Sequence, residues 1–157
     1  MDRSLVGRDG WRMSAPSFVM AAALVAFMLF LGARGLFFPE QAAHGFGLPL
    51  LDGDAPWLRI KAGRDLSVGL SIAALLVLRM RAALGVLLLA GGIIPLLDCI
   101  ISIVSPDGHV PYALAVHGSA AVFTFGLGAW LLWPLGASAD AGARRLSNSE
   151  RDARDAS

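Results

Sequence analysis

Six side chains interrupt an otherwise apolar sequence: Arg34, Lys61, Arg64, Asp65, Asp98 and His117. Between them they supply acids, a base and cations. Asp98 and His117 have the titratable character that proton transfer requires and are the candidate catalytic residues. All six together form the candidate ligand-binding set. Ser67, Ser71, Ser102 and Thr124 read first as helix-packing hydroxyls, because no G-x-S-x-G turn surrounds any of them. The sequence also lacks a phosphate-binding glycine loop and haem or zinc spacing. His44, His109 and Asp107 fall in loops, where such groups are more often solvated than ligating, so neither metal nor cofactor is expected. Cys99 has no partner for a disulfide and reads as a small buried hydrophobe.

The elements that must position these residues are long apolar stretches. Of 157 residues, 56% are hydrophobic and 16% charged, which sets the chain apart from ordinary soluble domains. The stretches cover about 17–38, 58–78, 82–104 and 112–135. Each is about 20 residues, enough at helical rise to span the roughly 30 Å hydrocarbon core of a bilayer. None shows the regular polar stripe of a soluble amphipathic helix. The fold class expected is all-α, a polytopic membrane protein made of a four-transmembrane-helix bundle. The first stretch is too long for a signal core and has the bulky Leu31 where a cleavage site wants a small residue, so it reads as an uncleaved anchor. Residues 1–16 then form a cytoplasmic N-terminal segment, 17–135 the transmembrane domain, and 136–157 a disordered cytoplasmic tail, since that tail has almost no large apolar residues.

Orientation follows from the basic residues. Arg3, Arg8, Arg12, Arg79, Arg81, Arg144, Arg145, Arg151 and Arg154 all fall on one side of such a bundle, whereas the opposite loops carry Glu40, Asp52, Asp54 and Asp107. Short cytoplasmic segments are enriched in Lys and Arg, so both termini are expected in the cytoplasm and the plasma membrane is the expected location. Aromatic residues suit the two interfaces, with Trp11, Trp130 and Trp133 inside and Phe37, Phe38, Phe46, Trp57 and Tyr112 outside. A net charge of +1 gives no basic surface for a phosphate backbone, which excludes nucleic acid as a partner. The loop from Pro39 to Pro56, rich in Gly and Pro, is expected to be irregular.

Counted inward from the outer helix ends, the six polar residues lie roughly 6 to 10 Å deep, in one layer. Helix two has only the thirteen residues Leu66 to Leu78 free of charge, too few to span alone, so the layer is built into the fold. Charges at such depth normally face the bundle and pair. Positions three and four apart share a face, which predicts inward stripes of Arg64, Ser67 and Ser71 on helix two, Gly91, Pro95, Asp98 and Ser102 on helix three, and His117, Ala121, Thr124 and Gly128 on helix four. Pro95 is expected to loosen helix three one turn before Asp98. Arg34 and Lys61 lie close enough to the interface to extend outward without a partner.

The stretch Gly32 to Pro49, GARGLFFPEQAAHGFGLP, followed by KAGRDLSVGL at Lys61 to Leu70 and by Asp98 and His117, resembles small four-helix membrane proteins of domain of unknown function 4267. That family is itself distantly similar to DoxX-type four-helix membrane proteins. The resemblance covers about Ser17 to Leu135; it implies the four-helix architecture and carries no shared activity over to these residues.

The function expected is a polar pocket in the outer half of the bundle, binding a small amphiphilic molecule, with the bilayer and that lipophilic ligand as partners. One alternative is a non-catalytic membrane subunit or scaffold, in which the cluster holds the bundle together and the partner is a second copy or another membrane protein. Another is a membrane enzyme that isomerises or cyclises a lipophilic substrate by acid-base chemistry through Asp98 or His117.

Overall fold

The computed structural model describes residues 11, 13, 15–46, 55–105 and 109–133. Helices account for nearly all of them, and no strand occurs among the described residues. In chain order the helices are α1 Pro16–Phe37, α2 Pro39–Phe46, α3 Ala55–Val77, α4 Arg81–Gly91 and α5 Ile93–Val104. The last, α6, runs Val110–Trp133 and contains a π-helical segment, Leu114–Gly118. The expected tail 136–157 and residues 1–10 lie outside the described residues.

Among the described residues, three helical rods are long and apolar enough to cross a membrane: α1, the joined α4 and α5 over Arg81–Val104, and α6. At 23 residues α3 is also long enough, about 34 Å at helical rise, but it carries Arg59, Lys61, Arg64 and Asp65 in its first half. The four spans expected from sequence therefore correspond to three helices that satisfy length and composition and one that satisfies length alone.

Two local differences have clear causes. The segment from Pro39, expected to be irregular, begins with the eight-residue α2, whose proline suits a first helical position and whose Glu40 lies near the positive end of the helix. The second concerns the rod Arg81–Val104, which breaks at Gly92. Pro95 has no N–H for the Gly91 carbonyl and its ring crowds that carbonyl, so the helical ladder is interrupted there. Gly92 also accepts the Phe125 ring of α6 so closely that a Cβ would lie 2.9 Å from it.

The α3–α4 connection is a tight reversal. Arg79 takes φ 55°, the Met80 N–H bonds to the Leu75 carbonyl and the Arg79 N–H to the Leu76 carbonyl. This is a Schellman closure with arginine where glycine is usual. The Arg79 guanidinium donates to the Trp11 carbonyl at 2.8 Å, and Arg81 donates to the Trp130 carbonyl at 3.3 Å. Trp11, expected at headgroup level, is buried: its Nε1 donates to Ser17 Oγ at 3.0 Å and its ring meets Phe18 edge-on.

Packing near this end is apolar. Trp11, Ala21, Leu24, Ile72, Leu76, Leu84, Leu88, Leu127 and Leu131 form one buried cluster drawn from α1, α3, α4 and α6. Small residues then let particular pairs approach closely. Gly32 and Gly35 of α1 face Ala62 and Leu66 of α3, while Gly69 of α3 faces Met28 and Leu29 of α1. On the other side Gly85 and Gly128 meet reciprocally, a Cβ on either lying 3.0 to 3.1 Å from the other's carbonyl oxygen. Backbone cannot yield as a flexible side chain can. Gly128→Ala is therefore expected to lower stability by about 1–3 kcal/mol through overpacking, whereas Gly126→Ala, with nothing within 4 Å, is not. Thermal unfolding of the two variants in the same detergent checks this; equal melting temperatures would show that the α4–α6 contact is not tight.

Candidate functional site

Asp65 and Asp98 organise the charged residues. Lys61 Nζ lies 2.6 Å from Asp65 Oδ2, one helical turn away, and Arg64 Nε lies 3.6 Å from Asp65 Oδ1. Arg64 also reaches across to α5, where its guanidinium donates to Asp98 Oδ2 at 3.3 Å. The result is an alternating chain, Lys61, Asp65, Arg64, Asp98, in which two cations answer two anions. Asp65 is buried and Asp98 half-buried. Lys61 also sits 5.2 Å from the centroid of the Phe46 ring, an additional cation–π contact. Lys61 is thus paired, where the sequence allowed it to extend freely outward.

Arg34 and His117 turn to a different partner, the short helix α2. The Arg34 guanidinium donates to the Gln41 carbonyl at 2.7 Å and lies against Gly45. Tyr112 donates its hydroxyl to the Gly45 carbonyl at 2.9 Å, and His117 Nε2 lies 2.9 Å from the Phe46 carbonyl. A carbonyl only accepts, so Nε2 carries the proton in that bond. The last carbonyls of a helix lack intrahelical donors and carry partial negative charge, which explains why the Tyr112 phenol and the His117 imidazole converge on Gly45 and Phe46. The His117 ring packs on the Phe46 ring with centroids 4.6 Å apart, and Phe46 meets Trp57 edge-on. Phe46 is buried here, contrary to its expected place at the interface.

The backbone under His117 is unusual. Leu114–Gly118 is π-helical, and such single-turn widenings re-aim side chains and occur often at functional sites. The predicted stripe on α6 holds, since His117, Ala121, Thr124 and Gly128 are all buried. On α5, Ser102 is buried and Asp98 half-buried on the predicted face. The predicted stripe on α3 does not hold. Ser67 and Ser71 are exposed, and the buried face is Leu58, Ala62, Asp65, Gly69, Ile72 and Leu76. That is a rotation of about 100°, one residue. Its cause is the α1 contact, which requires Ala62 and Gly69 at the seam; Ser71 meanwhile satisfies its hydroxyl on the Ser67 carbonyl at 2.8 Å.

Five of the six candidate residues, Arg34, Lys61, Asp65, Asp98 and His117, line one cavity of about 930 Å³ between the helices; Arg64 stands behind it. Leu24, Met28, Ile72, Leu88 and Phe123 line its apolar part. The exposed residues among its walls are Ala23, Phe27 and Phe30 of α1 and Tyr112, Val116 and Ser119 of α6. The cavity therefore opens sideways, between α1 and α6. Sequence reasoning missed the roles of Phe46, Gly45 and Tyr112, whose partner α2 carries no long apolar or periodic signal. The exposed His44 and His109 do not join the site, and Asp107 lies outside the described residues.

Among comparisons with known proteins, the model of a family described as domain of unknown function (DUF4267) matches residues 25–131, a stretch that includes all six polar residues. No curated protein and no solved structure matches the chain.

Removal of Asp65 would leave the Lys61 charge uncompensated, while Arg64 would keep Asp98. Asp65→Ala is expected to cost about 3–5 kcal/mol, as for other broken buried pairs. Asp98→Ala, whose closest cation is the weaker contact at 3.3 Å to the partly exposed Arg64, is expected to cost less. Comparison of the two melting transitions tests this order, and the reverse order would mean that the α3–α5 bridge, not the Lys61–Asp65 pair, is dominant.

Proposed function

The chain belongs to the DUF4267 family, and from that premise we propose that it is a four-span plasma-membrane protein with cytoplasmic termini whose cavity binds a small amphiphilic molecule. The observation that carries this reading is the shape of the cavity: charged and hydrogen-bonding groups near α2, apolar walls below, and a mouth whose exposed residues all belong to α1 and α6. In a bilayer such a mouth faces acyl chains, so a ligand can enter from the membrane with its tail along Phe27, Phe30 and Phe123. The volume suits a small molecule, since ligand pockets commonly measure about 300 to 1,000 Å³.

Insertion of α3 as the fourth span is supported by the way its charges are consumed. An unpaired charge at bilayer depth costs roughly 2.5 to 3.5 kcal/mol on insertion scales, and pairing reduces that penalty. Arg79 and Arg81 in the α3–α4 turn, at the end opposite α2, support a cytoplasmic position for that turn.

The mutual neutralisation of Lys61, Asp65, Arg64 and Asp98 favours a second reading, in which the chain is a non-catalytic membrane subunit and the charges lock α3 to α5. A cavity-filling variant separates the two. Ala120, a half-buried wall residue, makes no side-chain hydrogen bond, so Ala120→Phe is expected to occupy the space and leave the ion pairs in place. Native mass spectrometry of the gently extracted full chain should find a discrete small molecule on the wild type and none on Ala120→Phe, at unchanged melting temperature. Heterogeneous lipid alone on both proteins would favour the subunit reading.

A further inference from the structure

The polar groups of the cavity differ in what remains available to a ligand. Lys61 is held by Asp65 at 2.6 Å, and Arg34 is held by the Gln41 carbonyl of α2 at 2.7 Å. The hydroxyls of Ser119 and Thr124 donate back into α6, to the carbonyls of Ala115 and Ala120. Among the acceptor atoms, two stand apart. His117 Nδ1 and Asp98 Oδ1 have no hydrogen-bond partner among the described residues, although both side chains line the cavity. His117 is only 7% exposed, so the cavity is the space its ring can address.

Both atoms are acceptors. Because Nε2 must donate to the Phe46 carbonyl, a neutral His117 ring offers only a lone pair at Nδ1. The two side chains also sit at one level, since Cys99, next to Asp98, bonds the Ala113 carbonyl through Sγ and lies 3.8 Å from a Cβ built at Gly118. A ligand headgroup placed there meets two acceptors beside the chain in which Lys61 and Arg64 answer Asp65 and Asp98. An anion would meet the Asp98 carboxylate, and a cation would add to a layer that already holds Arg34, Lys61 and Arg64.

On the reading that the cavity holds an amphiphile, we propose that its headgroup is a neutral hydroxyl, that of a lipophilic alcohol or phenol, donating to His117 Nδ1 beside Asp98. The arrangement selects by hydrogen-bond polarity: a site with buried acceptors rejects an analogue that brings no donor, because those acceptors are then left unpaired.

The test uses four probes of equal chain length, dodecan-1-ol, dodecylamine, dodecanoate and dodecane, each offered to the full chain in phosphatidylcholine nanodiscs, with retention measured by native mass spectrometry. The alcohol is expected to bind about tenfold more tightly than the alkane, the scale of one well-formed hydrogen bond. His117→Phe is expected to abolish that preference and leave alkane retention unchanged. Preferential retention of dodecanoate or dodecylamine would overturn the headgroup assignment while leaving the cavity reading intact. An alcohol preference that survives in His117→Phe would overturn the assignment to His117, and retention of no probe would overturn both readings. Should His117→Phe fold poorly, the ranking on the unmodified chain decides the headgroup by itself.

Discussion

A helix with Lys61, Arg64 and Asp65 in consecutive turns packs among apolar helices only when those charges are answered inside the protein. In α3 they are answered twice, along the helix by the Lys61–Asp65 pair and across to α5 by Arg64 and Asp98. The first contact needs no tertiary structure, because residues four apart share a face. The second fixes the rotation of α3 relative to α5. With Asp65 turned inward, Leu58, Ala62, Gly69, Ile72 and Leu76 follow onto the same face, and that face is the one α1 packs against. The charge pairing and the close contact with α1 thus select the same face of the most polar helix.

The same logic explains why so short a helix as α2 is held so firmly. Two of its last carbonyls, which have no intrahelical donors, are met by Tyr112 and His117 of α6, and Arg34 of α1 bonds the Gln41 carbonyl nearer its start. The π-helical turn under His117 belongs to this arrangement, because it carries the buried residue that bonds the Phe46 carbonyl. α2 thereby bridges α1 and α6 above the cavity, although its own apolar surface is slight.

Residue types and spacing were enough to find the rods, because runs of about twenty apolar residues admit few other structures. They were also enough to find the polar layer, since charges in such runs must be accommodated. Partner choice was less legible. Arg34 and Lys61 look alike in sequence, each near a helix end, yet one bonds backbone carbonyls and the other a carboxylate. Nothing in the chain before the fold specifies that α2 will lie within reach of Arg34. The α3 stripe failed for a related reason: Ser67 and Ser71 look like inward-facing hydroxyls, but a serine can bond its own helix's carbonyl and tolerate an outward position, whereas Ala62 and Gly69 have no substitute at a close contact. Small residues were the stronger signal, and polarity the weaker one.

That distinction also accounts for the position of the cavity mouth. Glycines bring α1 against α3, and α4 against α6, to backbone contact. No described glycine does so between α1 and α6. At the level of the mouth those two helices present Phe27 and Phe30 on one side and Tyr112 and Val116 on the other, side chains too bulky for close approach. Near the opposite end both helices join the apolar cluster, through Ala21 and Leu24 of α1 and Leu127 and Leu131 of α6. A pair of helices joined at one end by the core and bridged at the other by α2, with large residues between, leaves a lateral gap by construction. Close packing of membrane helices depends on van der Waals contact between small surfaces, with no water to expel. The gap therefore has no strong tendency to close, and it persists where the sequence withholds small residues.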